Sequence, residues 1–241
     1  MGPRGRIYCH IANAGDVFSI AEIDGIKSAV KMAEKFISDN FNFDYEVDVI
    51  VVRPSRLLDV YPKYGINGRI YNSNLVVVAV DKAATDLENH LFEDLCHEMA
   101  HSLRWQKVSE RAESLFDDIL FEGLALALEE KAISEMGLTN TREFFKEIKA
   151  ASKPEIDNIL EVLGESLGEK NYNYDEVFFD GNEKLPLWAG YKLGYYLVGE
   201  YLRATSGDIV SVALEGYEEL RLKISSHCPG VKGISLSATE V

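Results

Sequence analysis

The spacing of apolar positions changes character near residue 80. Before that point, short apolar runs have strand character; after it, apolar residues recur at helical spacing. Gly5 to Ala14 predicts a short strand, and Tyr45 to Val52 a second one that Arg53-Pro54 ends. Between them, Ile26, Val30, Met32, Ala33, Phe36 and Ile37 mark an amphipathic helix over Ile23 to Phe41. Leu57 to Gly68, with Pro62, Gly65 and Gly68, reads as a loop. Arg69 to Val80 is the clearest β segment. Leu75 to Val80 is rich in β-branched residues, and Asn72-Ser73-Asn74 before it forms a turn or bulge. From Thr85 the pattern predicts helices over 85–106, 110–136, 141–152, 155–167, 186–204 and 208–224. Asn140 with Glu143 suggests a capping box. Residues 168–185 form a loop and 225–241 a tail. Strands first and helices later predict an α+β fold. It is read as one domain over 1–224, with a sheet part to about residue 82 and a helical part over 83–224.

Composition narrows the class. The chain has 241 residues, 46% hydrophobic and 27% charged, as expected of a soluble globular domain. Its formal net charge of −15 disfavours nucleic acid as a partner, which needs basic patches. No apolar run suits a membrane helix, and the opening residues lack a signal-peptide core, so a cytoplasmic protein is expected. Cys9, Cys96 and Cys228 are odd in number and irregularly spaced, which argues against a disulfide framework. Cys96 reads as a packed thiol. The sequence leaves oligomeric state open.

The candidate chemistry lies in His97-Glu98-Met99-Ala100-His101, an HExxH pattern. Residues four apart on a helix stand one above the other, so His97 and His101 can aim both imidazoles at one metal ion. Glu98 then lies beside the metal, where a general base for an activated water belongs. The helix is well supported. Thr85 or Asp86 can cap it, and Leu87, Leu91, Leu95, Met99 and Leu103 recur at helical spacing. His90, Asp94, His97, His101 and Arg104 share one polar stripe, which predicts a half-buried helix.

Two histidines leave a catalytic zinc one protein ligand short. Glu122 sits among Ile119, Leu120, Phe121, Leu124, Leu126 and Leu128, where a carboxylate is costly to bury unless paired or bound to metal. It follows His101 by 21 residues, enough for a turn and a returning helix. Other polar residues get plainer readings. His90 is read as exposed, Asp94 as a carboxylate near the helix's positive end, and Asp118 and Glu129 as exposed acids within reach of a ligand histidine.

Two further segments bear on substrate handling. If Arg69 to Val80 contains an edge strand beside the metal helix, it could hold an extended peptide across the site. In the 186–204 helix, Gly190 and Gly194 share a face, which suggests that another backbone approaches closely there. Trp188, Tyr191 and Tyr195 form the adjacent stripe. Tyr191, or failing that Tyr195, could donate to the oxyanion of a tetrahedral intermediate.

HEMAH followed by FEGLALAL resembles the gluzincins, zinc metallopeptidases with a downstream glutamate ligand. HEMAHSLRW, FEGLA and PLWAGYKLGYYLV in this order resemble more specifically the bacterial family of predicted zinc-dependent proteases of unknown function, over roughly residues 60–205. The resemblance implies a zincin-like fold, zinc at His97, His101 and Glu122, and Glu98 as catalytic base. Gluzincins often carry an acid four residues after the ligand glutamate. Here that position is Leu126, so the partners of the ligand histidines stay unassigned.

The expectation is a zinc peptidase acting on a peptide or protein substrate. Two alternatives stand beside it. One is a peptide-binding or chaperone-like module that keeps the metal but turns nothing over. The other is a zinc hydrolase of non-peptide amides or esters. An intact Glu98 favours the catalytic readings.

Overall fold

A computed structural model of the chain describes residues 5–55, 58–60, 65–228 and 231. The chain forms two compact units, Met1–Lys107 with Leu128–Phe145, and Val108–Ala127 with Lys146–Val241. The fold class is α+β: a small mixed sheet comes first and helices dominate afterwards. Among the described residues no helix is long and apolar enough to cross a membrane.

The first unit holds β1 (Arg6–Ile11), α1 (Ile20–Asn40), β2 (Glu46–Val52), β3 (Ile66–Asn72), β4 (Leu75–Val80) and α2 (Leu87–Lys107). The strand order is β1-β2-β4-β3. β1, β2 and β4 run parallel, and β3 pairs antiparallel with β4. A parallel β1–β2 pair needs a crossover, which α1 supplies. Ser19 and Glu22 form a reciprocal capping box at the start of α1, three residues earlier than the apolar pattern suggests. Along β2, Val47, Val49 and Val51 are fully buried while Glu46 and Asp48 face solvent. α1 packs against α2, with Phe36 meeting Phe92 edge to face.

The expected loop over Leu57 to Gly68 gives way to strand at Ile66, and part of it lies outside the described residues. The single β segment expected over Arg69 to Val80 is the end of β3, a turn at Ser73-Asn74, and β4. Among the described residues β3 is therefore an edge strand and β4 an inner one. The opposite edge is blunted, because the Ile7 N–H donates to Glu34 Oε2 at 2.7 Å.

The continuous helix α3 (Leu115–Met136) runs through residues of both units, and α4 (Glu143–Lys149) likewise. The capping box expected of Asn140 does not form. Its side-chain amide donates to Asp86 instead, and the helix starts later.

The second unit adds α5 (Lys153–Leu163), a π-helical turn over Glu176–Asp180, α6 (Ala189–Thr205), α7 (Ile209–Val212) and α8 (Tyr217–His227). The one helix expected over 208–224 is broken in two before Gly216. Glu110 explains the break. Its carboxylate accepts the Glu218 N–H at 3.1 Å and so caps a new helix start. Of the expected tail, 225–227 complete α8; the stretch beyond Cys228, Val231 apart, lies outside the described residues.

α6 crosses α3 at a glycine pair. A Cβ on Gly123 would collide with the Gly194 backbone, and one on Gly194 with the Ile119 carbonyl. Gly190 serves differently, since a side chain there would strike the Phe178 ring. Gly194→Ala must push a backbone aside, which is expected to cost about 1–3 kcal/mol or more, read as a lowered urea midpoint. Because the displaced helix carries Glu122, any metal that this carboxylate helps to hold should be bound less tightly.

Candidate metal centre

α2 begins at Leu87 because Asp86 adopts a left-handed φ of 49°, and the Asp86 carbonyl takes the His90 N–H at 3.0 Å. Every residue from His90 to Arg104 is buried, including His90 and Asp94 on the side expected to be wet. The polar stripe thus faces other protein groups rather than solvent, which overturns the half-buried reading of this helix and the exposed reading of His90.

His97 and His101 do stack along one face. Their rings meet edge on, with centroids 4.8 Å apart, and their Nε2 atoms stand 3.2 Å apart. Two nitrogens bound to a tetrahedral zinc at about 2.0–2.1 Å are separated by about 3.3 Å, so the pair has the right bite. His97 Nδ1 faces Glu129 Oε2 at 3.3 Å. With the proton on Nδ1 and donated to Glu129, Nε2 keeps the lone pair a metal needs.

Glu129 is completely buried, not an exposed acid. It lies seven residues after Glu122 on α3, two turns along the same face, or about 10 Å. His97, His101 and Glu122, all buried, each offer a ligand atom, and these atoms lie within 4.8 Å of one another. Two imidazoles and a carboxylate form a donor set suited to a catalytic zinc with one position left open.

Glu98, 7% exposed, lies against β3. A Cβ placed on Gly68 would come 2.7 Å from Glu98 Cγ and would overlap the Asp94 carboxylate. Only glycine lets the edge strand pass this close to the proposed base.

A buried ionic cluster backs the histidines. Arg142, just before α4, donates through Nη1 to Asp94 and through Nη2 to Glu129 Oε1 at 2.8 Å, and its backbone N–H donates to Glu93 Oε2 at 2.8 Å. Burial opposes the Arg142 charge, but Glu129, Asp94 and Glu93 outweigh it. For Glu129, burial acts upward, yet Arg142 and His97 hold its carboxyl below the usual range. Burial, reinforced by the Glu129 charge, pushes Glu93 up to about 8. Asp94 is also raised, chiefly by burial.

Two tyrosines of the 168–185 segment reach α3. Tyr172 donates to Asp118, and Tyr174 donates to Glu122 Oε1 at 3.4 Å. Burial and then the Glu122 and Asp118 charges push the Tyr174 pKa up, so its hydroxyl stays a donor. Asp118 is half-buried and raised by burial to about 6. Tyr191, on α6, is buried with its ring edge on to Phe178 and Trp188.

The sequence reading missed Glu93, Arg142 and Tyr174. Glu129 had a weak signal, a carboxylate at the end of an apolar run at a two-turn spacing from Glu122. Arg142 had none, because its carboxylates come from two distant helices.

The family model described as Predicted Zn-dependent protease (DUF2268) matches residues 26–221. The chain belongs to that family. No curated protein and no solved structure matches it. The match to the predicted Zn-dependent protease family takes in β2, the HExxH helix, all of α3 and α6. Its description as Zn-dependent agrees with the buried donor set of His97, His101 and Glu122.

Proposed function

We propose that this protein is a zinc peptidase whose metal is held by His97, His101 and Glu122. The observation that carries the reading is the convergence of two Nε2 atoms and a carboxylate, all buried, beside Glu98. When bound, zinc supplies Lewis acidity that makes a water nucleophilic near neutral pH. Glu98 would take a proton from a water at that open position and return it to the leaving amide nitrogen. Tyr191 donates to the oxygen of the attacked carbonyl, and Tyr174 steadies Glu122.

The edge strand supports a peptide rather than a small ester as substrate. The Gly65 carbonyl accepts the Asp81 N–H at 2.8 Å, which sets the antiparallel alternation. It turns the main-chain groups of Ile66, Gly68 and Ile70 away from β4. An extended peptide pairing with Ile66 and Ile70, on either side of the Gly68 amide that Asp94 engages, would run past Glu98. The formal net charge of −15 weighs against nucleic acid as the substrate.

The test joins metal analysis to a mixed peptide library and a panel of esters and amides. We expect one zinc per chain and cleavage of peptides. Glu122→Ala should lose most of the zinc, and full zinc in that variant would remove Glu122 from the site. Hydrolysis of esters alone would favour the non-peptide hydrolase, and peptide binding without turnover the inactive module.

A further inference from the structure

We propose that Arg142 is the positioning residue that ties the ligand His97 to the edge strand beside Glu98. The inference rests on the zinc-peptidase reading for its purpose and on the first unit alone for its geometry.

Arg142 is 5% exposed, and the guanidinium divides its donors between two helices. Nη2 holds Glu129 Oε1, whose other oxygen faces His97 Nδ1. Nη1 holds Asp94 Oδ1, and the other oxygen of Asp94 lies where a Gly68 side chain would be. The Gly68 backbone amide also favours the charged form of Asp94. One planar fork thus sets the distance from α3 to the metal-binding face of α2, and from α2 to β3.

The fork shape matters as well as the charge. Removing any one member leaves a buried charge unpaired, which makes such a cluster a weak source of stability but a strong source of geometry. Lysine brings one point charge and cannot hold Glu129 and Asp94 in a fixed plane together. Glu129 would then be free to turn from His97 Nδ1, and the imidazole would lose the partner that fixes its tautomer. Gly68 and Glu98 would lose their fixed spacing in the same step.

The experiment compares wild type with Arg142→Lys and Glu129→Gln. It reads zinc affinity by competition with a chelator, the ¹⁵N signals of the His97 ring in the metal-free protein, and hydrogen exchange of the Gly68 amide. For Arg142→Lys we expect a folded protein by circular dichroism, zinc affinity down about 10–100-fold, mixed His97 tautomers, and faster exchange at Gly68. Glu129→Gln should reproduce the loss of affinity and the tautomer change without the change at Gly68, because Asp94 keeps its guanidinium. A folded Arg142→Lys protein with zinc affinity within twofold of wild type and an unchanged His97 tautomer would overturn the proposal, leaving Arg142 a structural brace. If Arg142→Lys does not fold, Glu129→Gln decides: unchanged affinity and tautomer overturn it. None of these readouts uses hydrolysis, so a failure of the peptidase reading would show separately, as an absence of turnover in wild type.

Discussion

Glu98→Gln is expected to lower peptide hydrolysis by about 10²–10⁴-fold, the usual worth of a positioned general base. Zinc content and the unfolding midpoint should stay close to wild type. Glutamine matches glutamate in shape but cannot take a proton from the attacking water. The site also restricts where the new amide can go, since Glu98 is buried and its Cγ lies against the Gly68 position of β3. The loss should therefore fall on kcat more than on KM, as for a group whose work is done in the transition state. A Gln variant with wild-type kcat and full zinc would take the base role away from Glu98. A variant that lost zinc as well would show that the carboxylate holds the site together rather than acting on the water.

Much of the fold was readable because period and burial agree. β2 alternates buried valines with exposed acids, and α1 repeats its apolar face, so both were found within a few residues. The β3–β4 turn carried a visible Asn-Ser-Asn signal, yet the strand before it holds Gly68, Arg69 and Asn72, and only pairing with β4 makes it a strand. The ligand candidates were readable because HExxH fixes two of them at a local spacing, and Glu122 is out of place in an apolar run. The surroundings were not. Leu126 stands where an acid was sought, and the partner of His97 lies three residues later, at Glu129, which a helix brings to nearly the same face. Arg142 joins α2 to α3 across 48 residues of sequence to Asp94, and no local pattern carries that information.

Tyr191→Phe should reduce turnover by the equivalent of about 2.7–4 kcal/mol in the transition state, the loss seen when one oxyanion donor is removed. Tyr191 stands three residues before Gly194, where α6 meets the backbone of the helix that carries Glu122. Phe178 and Trp188 meet its ring edge on, so phenylalanine should keep the packing and remove only the hydroxyl. Zinc affinity and stability should hold. Tyr174→Phe makes the contrasting case. Its hydroxyl donates to Glu122 Oε1, a ligand candidate rather than substrate, so its removal should weaken zinc binding by about 10-fold. At saturating zinc most of the turnover should return. The pair separates two ways in which a phenol can serve one metal, through the substrate's oxygen or through a ligand's. If Tyr191→Phe keeps its rate while Tyr174→Phe stays slow with zinc fully bound, the oxyanion role belongs to Tyr174. If both keep their rates, Tyr195, one turn further along α6, is the remaining tyrosine of that stripe, and Tyr195→Phe should then carry the kinetic loss.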